Sequence, residues 1–100
     1  MKRIVLLCAA GMSTSLLVRK IREAAEKKNY ECTVNAYAIA EAESFKDSAD
    51  IMLLGPQVRF QLNNVKDACP GVPVESIDPV LYGQMNGEKV LEHIISILGE

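Results

Sequence analysis

The chain has no tryptophan, one histidine, five aromatic residues and three cysteines in 100 residues. Each shortage excludes something. His93 alone cannot build a histidine-based zinc site, and Cys8, Cys32 and Cys69 form neither a CxxC pair nor a metal-ligand spacing. An odd cysteine count in so small a chain speaks against a disulfide framework. No cofactor is implied. With few rings, a formal net charge of −2 and no basic stripe interleaved with aromatics, nucleic-acid binding has no support. No apolar run approaches the roughly 20 residues that cross a bilayer, so no membrane insertion is expected. The start "KRIVLLCAA" has the basic-then-apolar order of a secretory leader. Its apolar part is short, however, and reads as the central strand of the fold, so a cytoplasmic protein is expected.

What is there suits one soluble domain over residues 1–100, with 49% hydrophobic and 24% charged residues. Charge is unevenly spread. Residues 1–30 carry seven Lys or Arg against two Glu, and residues 31–100 carry four against eleven Asp or Glu. Arg19, Lys20 and Arg22 fall together, which suits either an anionic ligand or acidic partner or simply a solvated helix face.

Apolar runs alternate with helical periodicities. Arg3 to Cys8 reads as a strand buried on both faces, and Leu17, Ile21, Ala24 and Ala25 form one stripe of a helix from Ser13 to about Lys28. Glu31 to Ile39 alternates as an edge strand, Ala40 to Lys46 is a short helical turn, and Asp50 to Leu54 is a second fully apolar strand. After Gly55-Pro56, the spacing of Val58, Leu62, Val65 and Cys69 predicts a helix that Pro70-Gly71 ends. "VPVESI" supplies a fourth strand, Asp78 to Gly83 a connection, and Asn86 the cap of a last helix with Val90, Leu91, Ile94, Ile95 and Leu98 inward. Strands separated by helices require right-handed crossovers, hence an α/β domain of three layers: a four-stranded parallel sheet with helices on both faces. Ligands of such sheets bind beyond the carboxyl ends of the strands. The loops Ala9 to Thr14, Gly55 to Gln57 and Asp78 to Gly83 should converge there.

The stretch "LLCAAGMSTSLL" puts a thiol where the first strand ends, followed by a loop of small and hydroxyl residues. In Ala9, Ala10, Gly11, Met12, Ser13, Thr14 and Ser15 almost nothing blocks inward-pointing backbone N–H groups. The helix that follows adds its own unpaired N–H groups and positive dipole end. Together they form an anion cradle with Cys8 at its mouth, a field that also favours the nucleophilic thiolate form of a thiol. The room suits a phosphoryl group that Cys8 would carry. Ser13 or Thr14 caps the helix. Cys32 and Cys69 lie on a strand and a helix stripe and read as structural.

Cysteine phosphate loops come in two physical types. Low-molecular-weight tyrosine phosphatases have Cys-x5-Arg and an Asp-Pro general acid; here Thr14 stands six residues after Cys8 and the loop holds no Arg. Without a guanidinium fork to hold a phosphate ester and stabilise its transition state, a phosphatase should be feeble. Asp78-Pro79 imitates the acid pair but reads as a turn and helix start.

"LLCAAGMSTSLLV", "ADIMLLGPQV" and "VESIDPVLYGQMNG" together resemble the IIB components of the bacterial sugar phosphotransferase system, lactose/cellobiose (chitobiose) family. The resemblance spans the chain and implies strand order 2-1-3-4, as in low-molecular-weight tyrosine phosphatases. It further implies a phosphocysteine at Cys8, charged by a phosphohistidine of a IIA protein and discharged to a cellobiose-, chitobiose- or lactose-type sugar held by the membrane permease IIC. A phosphatase or arsenate reductase, and a regulatory module with a structural Cys8, are the competing readings. A carrier also needs a rim for two partners, and Met12, Leu16, Val18, Arg19, Gln57, Arg59, Phe60 and Tyr82 are the candidate contacts. Phe60 falls about 160° from its helix stripe at 100° per residue, and is either such a contact or packed under a loop. His93 reads as solvated, and the chain as a monomer.

Overall fold

Successive residues of a strand face opposite sides of a sheet, and in Lys2–Cys8 both sides become apolar from Ile4 onward. A strand of that kind must be covered on both faces. It is β1, and the structure, a computed structural model, describes residues 1–9 and 14–100. Its neighbours are β2 (Cys32–Ala38) on one side and β3 (Ile51–Leu54) on the other, with β4 (Val74–Ser76) beyond β3. All pairs are parallel and the order is β2-β1-β3-β4, as expected. The register sets Cys8 opposite Ala38 and Leu7 opposite Leu54, so three strands end near the thiol.

The alternation divides the core into two. Ile4 and Leu6, with Val34, Ile51 and Leu53, face α1 (Ser15–Lys28), α3 (Pro79–Gly83) and α4 (Gly87–Leu98). Val5 and Leu7, with Met52, Leu54 and Val74, face the 3-10 segments Ile39–Phe45 and Pro56–Gln61 and α2 (Leu62–Ala68). Each fully buried aliphatic side chain contributes about 1.5–3 kcal/mol of transfer free energy, so the central strands anchor the end of β1.

Two elements differ from their expected form. The helix expected across Val58 to Cys69 is broken: Pro56 opens a 3-10 segment, Val58 is non-helical (φ −116°, ψ 15°), and a regular helix starts only at Leu62. Pro fixes its own φ and suits a first turn, but the strand exit at Gly55 leaves the next residues kinked into the core rather than in register with α2. The expected connection at Asp78 to Gly83 folds as α3. Asp78 Oδ1 accepts from Val80 N at 2.7 Å and Leu81 N at 3.3 Å, and Pro79 is the first helical residue. Asn86 caps α4, accepting from Lys89 N at 3.1 Å.

Two contacts fix α1, the helix that leaves the Cys8 loop. Arg22 reaches across to the edge strand, its Nε donating to Val34 O at 2.9 Å and its Nη2 to Asn35 Oδ1 at 2.8 Å. On its other flank α4 crosses so closely that a Cβ on Gly87 would lie 2.4 Å from the Lys20 carbonyl carbon. Only glycine admits that approach.

Candidate active site

Cys8 is the last residue of β1 and continues the alternation of Ile4 and Leu6 toward α1. Its sulfur is buried, 1% of the residue being exposed. Thr14, fully buried at the N-cap position of α1, sends its hydroxyl to Cys8 Sγ at 3.2 Å. Tyr37 O, on the adjoining strand, lies 3.8 Å from the same sulfur and accepts from the thiol. A hydroxyl donor suits the thiolate and a carbonyl acceptor suits the thiol, so the two partners serve the two protonation states.

Thr14 makes no side-chain capping bond, because that hydroxyl turns to the sulfur instead of the first helical N–H groups. Ser15 and Ala9 are exposed on either side. Ala10, Gly11, Met12 and Ser13, the rest of the expected phosphate loop, lie outside the described residues. The other thiols have no such setting. Burial pushes the Cys32 thiol above the ordinary range. Burial chiefly raises that of Cys69 too, whose Sγ donates to Ala42 O at 3.7 Å. Among the described residues no group of His, Cys, Asp and Glu is placed to hold a metal ion.

Three chain segments leave the carboxyl ends of β1, β3 and β4 at this edge of the sheet. Each carries an exposed apolar side chain: Leu16 at the start of α1, Phe60 in the 3-10 segment, and Val80 in α3. Phe60 is 78% exposed, so of its two readings the exposed one holds. Arg19, Gln57 and Arg59 are also exposed, and Arg19 has no ion pair among the described residues, whereas Lys20 lies 3.9 Å from Glu23.

Two expected contacts are corrected. Val18 is 6% exposed, because α1 is flanked by both the sheet and α4 and its buried face is wide enough to take in Leu17, Val18 and Ile21 together. Tyr82 is buried because α3 forms and turns its ring inward to the cluster containing Ile77 and Leu91. Val80, 63% exposed, was not among the expected contacts. Its signal was available: an apolar residue directly after an Asp-Pro helix start lies on the outer first turn.

The sheet order alone does not single out one family, so sequence similarity decides. The family model described as "PTS system, Lactose/Cellobiose specific IIB subunit" matches residues 3–93. The chain belongs to this family. This IIB chain is 36% identical over 100 residues to the oligo-beta-mannoside-specific EIIB component of Bacillus subtilis, covering 98% of this chain and 97% of the relative. It is 41% identical over 97 residues to the galactose-specific EIIB component of Lactococcus lactis subsp. cremoris, covering 90% of each. Among solved structures it is similar to the cellobiose-specific phosphotransferase IIB component of Borrelia burgdorferi, with 40% identity and a TM-score of 0.82 over 98% of this chain and 92% of that one.

Proposed function

We propose that Cys8 is the phosphoryl carrier of this IIB chain. The thiolate sulfur attacks the phosphorus of a phosphohistidine on a IIA protein. The S–P bond forms as the N–P bond breaks, and the histidine leaves as neutral imidazole, the proton on its other ring nitrogen having been there before the transfer. In the second step a sugar hydroxyl oxygen, presented by the IIC permease, attacks the same phosphorus. The O–P bond forms, the S–P bond breaks, the hydroxyl proton passes to a base or to water, and Cys8 returns to the thiolate. Loop N–H groups and the start of α1 hold the equatorial oxygens, so positioning and electrostatics supply the catalysis.

The observation that carries this reading is the Thr14 hydroxyl donating to Cys8 Sγ at the strand-to-helix junction. A phosphatase reading lacks its parts: no Arg stands six residues after Cys8, and Asp78 is engaged as a helix cap. Oligo-beta-mannoside and cellobiose in the relatives' names support a β-linked oligosaccharide such as a disaccharide as the acceptor, while galactose in a third does not narrow the class. The partner rim is Leu16, Arg19, Arg59, Phe60 and Val80, with Gln57 beside it. The chain would act as a monomer at the cytoplasmic side of its permease; no helix among the described residues is long and apolar enough to cross a membrane.

The test is intact-protein mass after incubation with phosphoenolpyruvate, the general phosphotransferase proteins and a cognate IIA. Wild type should gain one phosphoryl group that iodine removes, and Cys8→Ser should gain none, while Cys32→Ser and Cys69→Ser behave as wild type. No gain with a IIA of proven activity refutes the reading.

A further inference from the structure

Gly55 poses a question that its backbone does not answer. Its φ of −61° and ψ of 152° are open to any residue, so conformational freedom is not why glycine stands there. Space is the reason. A Cβ on Gly55 would lie 3.1 Å from Gln57 Oε1, 3.6 Å from Leu7 O and 3.8 Å from Thr14 Cγ2. The missing Cβ is room into which the Gln57 carboxamide folds back. The other walls of that space belong to the site: Leu7 precedes Cys8, and the Thr14 side chain carries the hydroxyl that donates to Cys8 Sγ.

The placement is anchored. Gly55 N donates to Leu7 O at 2.9 Å, which ties the start of the segment to β1, and Pro56 follows with a fixed φ. Gln57 itself is exposed, and its carboxamide has no hydrogen-bond partner among the described residues. Rotation about its last torsion exchanges the oxygen for the NH2 group, which offers two donors.

We propose that Gln57 contacts the phosphoryl group: its carboxamide NH2 donates to a nonbridging oxygen of phosphate on Cys8 while the S–P bond forms and while it breaks. The proposal rests on the carrier reading of Cys8. No proton changes hands in this contact, and the bonds made and broken are those of the transfer itself. Gln57 thereby supplies a side-chain donor where Cys-x5-Arg loops supply a guanidinium. The difference in kind matters, because a guanidinium grips an anion with a bidentate fork and a full positive charge, and a carboxamide offers a single uncharged donor group. Phosphate is steadied without being trapped.

Two variants reach the same contact by different routes. Gln57→Ala removes the carboxamide, and Gly55→Ala leaves it in the chain but puts a methyl group in its place. Each is loaded with phosphoenolpyruvate, the general phosphotransferase proteins and IIA, and the rate is followed by intact mass against IIA concentration. Both should lower the saturating rate about 10-fold or more, the effect of one lost hydrogen bond to a charged acceptor, with the half-saturating IIA concentration unchanged. Gln57→Glu, which sets a negative charge against the phosphate, should lower it further. The 31P resonance of the phosphocysteine should titrate at higher pH in Gln57→Ala than in wild type, a change that a docking or folding role would not cause. Wild-type saturating rates and 31P titrations in both alanine variants overturn the proposal, as does a loss confined to the half-saturating concentration. Failure of wild type to acquire phosphate at Cys8 defeats the carrier reading instead, and this contact with it.

Discussion

Thr14→Val isolates the hydroxyl that faces Cys8. Valine keeps the branched shape and the methyl group that lies toward Gly55, and removes only the donor 3.2 Å from Sγ. Thr14 is fully buried, so water does not take over the lost bond. A hydrogen bond to a charged acceptor contributes about 1.5–3 kcal/mol. At about 1.4 kcal/mol per factor of ten, the thiolate form loses roughly ten- to hundred-fold of its stabilisation. Tyr37 O stays in place and still accepts from the thiol, which favours the protonated form once the hydroxyl is gone. The assay is alkylation of Cys8 by iodoacetamide at neutral pH, followed by intact mass, with the buried Cys69 as an internal reference. Alkylation and IIA-dependent phosphorylation should both slow about ten-fold or more in Thr14→Val. Thr14→Ser, which keeps the hydroxyl and loses the methyl, should retain most of both. Wild-type alkylation in a folded Thr14→Val protein would refute the reasoning, because the hydroxyl would then do nothing for the sulfur.

Three further outcomes test the frame around the site. Gly87→Ala places a methyl group 2.4 Å from the α1 backbone and should destabilise by about 1–3 kcal/mol, whereas Gly83→Ala, with nothing within 4 Å, should leave the thermal midpoint unchanged or raised. Equal midpoints for the two would show that α4 does not press on α1. The Tyr82 hydroxyl is buried with no hydrogen-bond partner among the described residues, so Tyr82→Phe should keep or raise the urea midpoint, and a clear fall would reveal a partner for it. Burial, then the hydrogen bond to Glu100, raises the Tyr30 phenol, and burial raises the Cys32 thiol. Both groups bind their protons more tightly folded than unfolded, so their contribution is full below the unfolded values and fades as pH climbs from about 9. Urea unfolding across pH should show that decline, flattened in Tyr30→Phe and Cys32→Ala; a flat wild-type profile to high pH contradicts it.

The sheet was legible because its signals are strong and local. Ile4 to Cys8 and Ile51 to Leu54 are apolar without interruption, which only a strand covered on both sides explains, and Asn35 marked β2 as an edge. The place of Cys8 at the end of β1, with Thr14 at the start of α1, was legible for a similar reason, whereas Ala10 to Ser13 lie outside the described residues. What escaped depended on neighbours that periodicity does not describe. Val18 lies beside the expected stripe of α1, and its burial comes from the shared cluster with the sheet, α3 and α4 that periodicity does not describe. Tyr82 falls in the Asp78 to Gly83 connection expected at the rim, yet α3 swings the ring into the core. The 3-10 start at Pro56 was hidden because Val58 is spaced correctly for a helix stripe and reaches the core by a kink instead.

On the carrier reading, what Cys8 lacks is as informative as what it has. A phosphatase must discharge its cysteine to water, which takes an acid, a strong oxyanion clamp and an open path. Here the sulfur is 1% exposed, its side-chain donor is a neutral hydroxyl, and the nearby Asp-Pro carboxylate caps α3. Removing the clamp lowers the rate of transfer to water and to sugar alike, so by itself it does not make a carrier selective. Selectivity comes from burial, because a partner that docks on the Leu16, Phe60 and Val80 rim replaces the missing groups with its own, and water does not. On that reading a loop without arginine leaves a docked partner to complete the charge around the phosphate, which keeps it for the sugar.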